Sequence, residues 1–244
     1  MRRPPQLQPV VGNSPLVSSK MCIPIHVSGD QSHPLLTAHA RVHVASCGDS
    51  FDTIAAALRH AVDGEVVRLA PGVYYESEVL IIDQCGVVLQ KDPDVPGFQD
   101  DPGQIVTIEM SGGHQCAVVC SGKGVRVSGL QFRCVRNRSK QNEPETATTP
   151  PPSVCFAVEA GDVVVEDCLF SNDSGYGLKV LGCAAPTFKS CTFSTCCEAG
   201  AWLGGESKAT FTRNIVRRNN GYGVVVSEHA SGDFSDNNIL ENRR

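Results

Sequence analysis

Aromatic residues are scarce in this chain. Its 244 residues include four Tyr, nine Phe and a single Trp. A core of ordinary size must therefore come from Val, Ile, Leu, Ala, Cys and some Phe. Long apolar runs are also missing. None approaches the roughly 18 residues that a membrane-spanning helix needs, so no membrane insertion is expected. Positive charge is not in excess either. A formal net charge of −5 speaks against nonspecific binding to nucleic acid or to anionic lipid. After Met1-Arg2-Arg3, the residues Pro4, Pro5, Gln6, Gln8 and Pro9 interrupt any apolar stretch, and no secretory leader is read there. The twelve cysteines are then expected to be reduced thiols in a cytoplasmic protein. Their spacing repeats no zinc pattern. Neither Cys116-x-x-x-Cys120 nor Cys196-Cys197 amounts to a ligand set, so neither metal nor cofactor is expected.

What is present is strand-like. Residues 1–40 are rich in Pro and Ser and read as an irregular lead-in; a single domain is expected over 41–244. Val42-His43-Val44 suggests a short strand. Residues 52–62 carry apolar side chains at helical spacing, with Asp49, Ser50 or Asp52 as possible caps and Gly64 just beyond the end. This is the one helix predicted. From Gly64 onward, short Val/Ile/Leu runs alternate with Gly, Pro, Asn and Asp and leave no room for crossover helices. Residues 136–153, with Pro144 and Pro150-Pro151-Pro152, read as a long protruding loop.

From residue 163 to 242 the sequence repeats every 23 residues. Val165 to Phe170 matches Phe188 to Phe193, Phe211 to Val216 and Phe234 to Ile239. The second half-unit repeats as Gly175 to Val180, Glu198 to Leu203 and Gly221 to Val226. Strand-length runs at this period suit a β-solenoid, in which equivalent residues of successive coils stack about 4.8 Å apart. Stacking creates two polar columns. Cys168, Cys191, Asn214 and Asn237 form one; Asp173, Cys196, Asn219 and Asn242 form the other. An Asn side chain both donates and accepts, so such columns read as structural ladders rather than as a metal or catalytic site.

These features resemble the right-handed parallel β-helix proteins of the pectin-lyase-like group. The repeat is one basis. The other is the opening Phe51-Asp52-Thr53-Ile54 to Leu58, with Gly64-Glu65-Val66 through Pro71-Gly72-Val73-Tyr74-Tyr75-Glu76 after it. It looks like the opening of pectin methylesterases and of the β-helix regions of F-box-only and Shc-binding proteins. The resemblance implies an all-β, right-handed, single-stranded parallel β-helix with a capping N-terminal α-helix. It implies function only weakly, because one opening serves enzymes and non-enzymes. Gln115-Cys116-Ala117-Val118-Val119 looks like one later esterase motif, but the paired-Asp and Arg motifs of esterases, and those of polygalacturonases, are missing. Asp162, Glu166, Asp167 and Asp173 do not stack as carboxylates. No catalytic residue is assigned, although an esterase or polysaccharide lyase stays open as the alternative.

The outward face offers more. Lys179 aligns with Trp202 and Val225, between inward neighbours in each coil. Trp202 is therefore expected to be substantially exposed, with Tyr176 and Tyr222 three residues ahead of that column. Exposed aromatics on a rigid sheet suit a glycan or a protein partner. Arg213, Arg217, Arg218, Arg243 and Arg244 read as a solvated edge. The sequence stops at Arg244 in a coil only just begun, which suggests a longer parent or end-to-end self-association.

Overall fold

The computed structural model describes residues 42–44, 50–94, 105–111, 113–135 and 153–244. The irregular lead-in 1–40 and nearly all of the predicted loop 136–153 lie outside these residues. Among the described residues there are three sheets of nine, seven and six strands, here called A, B and C. The chain visits them in the order A, B, C in every coil. One full coil is Val164–Glu166 in sheet A, Leu169–Asn172 in sheet B and Tyr176–Val180 in sheet C. Neighbouring coils pair in parallel. Val164 pairs with Thr187, and Thr187 with Thr210, which gives the 23-residue step. Thr210 continues to Asp233 in the same register.

Earlier coils are less regular. Val66 pairs with Val88, a step of 22 residues, whereas Val88 pairs with Arg126 and Arg126 with Val164, steps of 38. The second long step encloses the predicted loop. The first encloses residues 95–104, a Pro/Asp/Gly-rich stretch that no periodicity flags.

Two phenylalanine stacks fill the interior of the later coils. In sheet B, Phe132, Phe170 and Phe193 stack at 5.3 and 5.0 Å between ring centroids. In sheet A, Phe188, Phe211 and Phe234 stack at 5.0 Å each. Parallel in-register pairing forces identical side chains on top of each other, and flat rings accept that arrangement with little lost volume.

One helix, α1 (Ile54–His60), covers the first coil with Ile54, Ala55, Ala57 and Leu58 buried. It is shorter than the predicted 52–62 because Ala61 is already extended. Its cap is Thr53, whose Oγ1 accepts from the Ala56 N–H at 3.1 Å, and not Ser50 or Asp52; Asp49 lies outside the described residues. The Gln84 side chain donates to the Leu58 carbonyl at 2.9 Å and ties down the other end. Val42–Val44 runs antiparallel to Val66–Leu69 and extends sheet A beside the helix.

Candidate ligand-binding face

The opening motif turns out to be architectural. The Tyr74 hydroxyl donates to the Ala70 carbonyl at 2.8 Å and is buried. The Glu76 carboxylate accepts from the Ile54 N–H at 2.6 Å, at the start of α1. Glu76 is only 4% exposed. Burial pushes its carboxyl above the usual value, against the lowering effect of the Ile54 and Ala55 backbone N–H groups. The opening motif by itself does not disclose this role of Glu76. The signal for Glu76 lies in its 22-residue distance from Ile54, one coil, but only the fold brings the two together.

The first polar column is a ladder. Asn214 Oδ1 accepts from the Cys191 N–H at 2.8 Å, and Asn214 Nδ2 donates to Asn237 Oδ1 at 3.0 Å and to the Phe188 carbonyl at 3.0 Å. Cysteine here is more than a small apolar filler. The Cys191 thiol reaches the Val165 carbonyl at 3.5 Å, 26 residues back, the same offset that separates Asn214 from Phe188. The Cys168 thiol likewise reaches the Val127 carbonyl at 3.8 Å. Burial pushes the Cys191 thiol up to about 12, so it stays protonated and keeps its donor.

The second column needs one correction. Cys196, Asn219 and Asn242 are linked: Asn219 Oδ1 accepts from the Cys196 N–H at 2.9 Å, and Asn219 Nδ2 donates to Asn242 Oδ1 at 2.9 Å. Asp173 is exposed and does not join them. In the regular coils a left-handed residue, Thr195 or Arg218, turns the next side chain inward. The corner before Asp173 has no such residue. Asn172 points inward instead, fully buried, and its Oδ1 accepts from the Ser174 and Gly175 N–H groups. Asn172-Asp173-Ser174-Gly175 is an Asx-turn sequence, a signal legible without the structure. The neighbouring coil compensates. Where a ladder side chain points in, the preceding coil has glycine: β-carbons at Gly177, Gly200 and Gly223 would press on Cys196, Asn219 and Asn242. Where Asp173 leaves the space open, the preceding coil carries the buried Cys155.

On the outward side of sheet C, one column runs Val119, Ala157, Lys179, Trp202, Val225. Ala201 and Leu203 on either side of Trp202 are buried. Trp202 faces outward but is half-buried, not substantially exposed. Its six-membered ring packs on Gly204, where a β-carbon would overlap it. The Lys179 ammonium lies 4.0 Å from the Tyr176 ring centroid and 5.3 Å from that of Trp202. A cation over two aromatic faces fixes all three side chains. Tyr222, 46% exposed, stands in the Tyr176 column two coils on, with the Arg244 guanidinium 5.8 Å from its ring. The structure thus brings Tyr176, Lys179 and Trp202 together and leaves Tyr222 at the edge.

Ten cysteines fall among the described residues, and all are free thiols. No group of three metal-binding side chains is found among the described residues. No described helix is long and apolar enough to cross a membrane.

Residues 134–244 match the family model described as right handed beta helix region. Two solved structures are similar. A pectin methylesterase in complex with hexasaccharide VII superposes with TM-score 0.53 at 14% identity, over 80% of this chain and 63% of that one. Pectin methylesterase PemA from Erwinia chrysanthemi gives TM-score 0.48 at 18% identity, over 71% of this chain and 53% of that one. The chain thus spans less than two thirds of either enzyme, and the first likeness supports a shared fold alone. No curated protein matches the sequence.

Proposed function

We propose that this chain, a right-handed parallel β-helix of the pectin-lyase-like group, is a non-catalytic scaffold that binds glycan on the outward face of sheet C. The observation that carries this reading is the cluster of Tyr176, Lys179 and Trp202. Its rings are held by Gly204 below and by the ammonium beside them, so little side-chain entropy is lost when a ligand stacks. A sugar ring offers C–H groups to an aromatic face and hydroxyls to a nearby ammonium, which suits this pairing. One of the structurally similar pectin methylesterases is described in complex with a hexasaccharide, which favours glycan over protein as the occupant. The non-catalytic part rests on Tyr74 and Glu76, the residues of the enzyme-like opening. Glu76 is engaged at the start of α1 and the Tyr74 hydroxyl at the Ala70 carbonyl, and both side chains are buried.

The test is a glycan array, then titration of Trp202 fluorescence with the oligosaccharides retained. Trp202→Ala and Lys179→Met are expected to weaken binding, with only a modest loss of stability because the indole is half-buried. An array without hits, with a protein partner instead lost on Trp202→Ala, would overturn the glycan assignment. Release of methanol or of unsaturated oligosaccharides from pectin-type polymers would overturn the non-catalytic one.

A further inference from the structure

We infer that Asn220-Gly221 is a spontaneous modification site, where the side-chain amide converts to aspartate and isoaspartate at the edge of sheet C. The fold itself demands glycine at 221. A β-carbon there would collide with the Glu198 carbonyl of the preceding coil. The same lack of a β-carbon removes the steric shield over the Gly221 nitrogen. Asn220 is exposed, and its backbone N–H is anchored to the Cys196 carbonyl at 2.8 Å. Among the described residues, nothing pairs with its side chain, and nothing accepts from the Gly221 N–H.

The other asparagines make the contrast. Asn172, Asn214 and Asn219 are buried with their amides engaged in turns or ladders. Asn237 and Asn242 donate to the Phe211 and Val216 carbonyls. Asn238 is exposed, but the β-branched Ile239 comes next. Only Asn220, among the described residues, combines exposure, a free amide and a glycine immediately after it.

The chemistry needs water alone. The Gly221 nitrogen attacks Asn220 Cγ, forming a carbon–nitrogen bond. The bond from Cγ to the side-chain nitrogen breaks, and ammonia leaves with the proton from the Gly221 nitrogen. Water then opens the resulting imide at either carbonyl, giving aspartate or isoaspartate. Both products place a negative charge two residues before Tyr222. Isoaspartate also adds one carbon to the backbone of a corner whose inward residue, Asn219, is bonded to Asn242 at 2.9 Å. The modification would thus alter the edge of the face and its ladder together, whatever ligand the face takes.

The full chain is incubated folded at mildly alkaline pH, and the tryptic peptide that holds Asn220 is tracked by mass spectrometry. Isoaspartate is detected by enzymatic methyl transfer. Asn220 should lose its amide roughly tenfold faster than any other described asparagine, a barrier difference of about 1.4 kcal/mol. Asn220→Ser should remove most of the methyl acceptance of this peptide, which also holds Asn219, Asn237, Asn238 and Asn242. The urea-unfolded chain supplies the reference. If Asn220 reacts when unfolded but stays an amide in the folded chain, the corner protects it and the inference fails. If it reacts no faster than Asn238 in the folded chain, the inference fails as well.

Discussion

The corners of the first coils and those of the last coils solve one geometric problem with different residues. Most of these corners place a residue at positive φ. Up to residue 135 these left-handed positions include Gly64, Gly86, Gly124 and Gly129. From residue 163 onward the corners between sheets C and A keep Gly182 and Gly205 or take Glu228, whereas those on either side of sheet B are Asp167, Ser190, Thr195, Arg213, Arg218, Asp236 and Glu241. A left-handed residue with a β-carbon costs about 1–2 kcal/mol. The next residue along the chain differs too. Gly129 precedes the apolar Leu130, whereas each of those seven precedes a Cys or an Asn of the ladders. The inward side chain, bonded from coil to coil, holds the strained turn in place. On either side of sheet B, glycine is thus replaceable at a corner whose next residue can anchor it.

The largest effect should come from the packing that lets the regular coils stack. Phe193→Ala opens the sheet B stack and should destabilise by about 3–5 kcal/mol; Ile108→Val, in the same inward column of an early coil, should cost about 0.5–1.5 kcal/mol. Urea titration of both variants checks this. Similar losses would mean that the ring of Phe193 contributes no more than one methylene of the early core.

The ladder comes next. Asn214→Leu leaves the Cys191 N–H and the Phe188 carbonyl without partners inside the core, a loss of about 1–3 kcal/mol. Asn237→Leu should lose less, because Asn237 is only half-buried. If both variants melt like the parent, the ladder does not anchor the corners. Among the glycine corners, Gly129→Ala should lose about 1–2 kcal/mol from its left-handed φ of 69°. The nearest atoms to the new methyl belong to the flexible Lys91 side chain, so little of that loss would be steric. A neutral result would mean that these corners are not strained.

The same contrast explains what the sequence discloses. Periodicity of 23 residues makes the coils and the Asn columns readable, because in-register stacking writes one position into every repeat. Asp173 misleads because alignment assumes equal corners and passes over the Asx-turn sequence Asn172-Asp173-Ser174-Gly175, which turns Asn172 inward instead. Alternation puts Trp202 on the correct side, but alternation is blind to Gly204, on which the ring rests. The insertion at 95–104 passes unnoticed because the early coils have no strict period to violate. Glu76 is invisible as a helix anchor because its partner is a backbone N–H, which every residue except proline carries.

Glu76 gives the early coils a pH dependence in the acid range, where the ladder thiols and amides do not titrate. Its folded value is raised above the reference of 4.5, chiefly by burial. Below the reference value both the folded and the unfolded chain hold the proton, and Glu76 contributes no slope. As pH rises through the folded value, the unfolded chain has already released its proton and the folded chain has not. Stability therefore falls across that window and levels off above it. Glu76→Gln removes this slope while keeping an oxygen for the Ile54 N–H. The check is the difference in melting temperature between parent and variant against pH. A constant difference from about pH 4 to 8 would show that Glu76 ionises alike in both states.

The smallest expected effect sharpens the comparison most. Arg213 sits at φ 57° and directly precedes Asn214. Arg213→Gly relieves a left-handed strain of about 1–2 kcal/mol but adds about 0.5–1 kcal/mol of backbone entropy to be lost on folding. The net gain should lie between about 0 and 1.5 kcal/mol, opposite in sign to Gly129→Ala. The strain is tolerated because Asn214 holds the corner, so the two residues must be coupled. In the Asn214→Leu background the corner is no longer anchored and is free to relax. Arg213→Gly should then recover less strain and add nearly the same entropy, so its benefit should shrink towards zero or reverse. A double-mutant cycle by urea titration measures that coupling. Equal effects of Arg213→Gly in both backgrounds would mean that ladder and corner act independently. The difference between early and late coils would then reflect only which residues happen to occupy them.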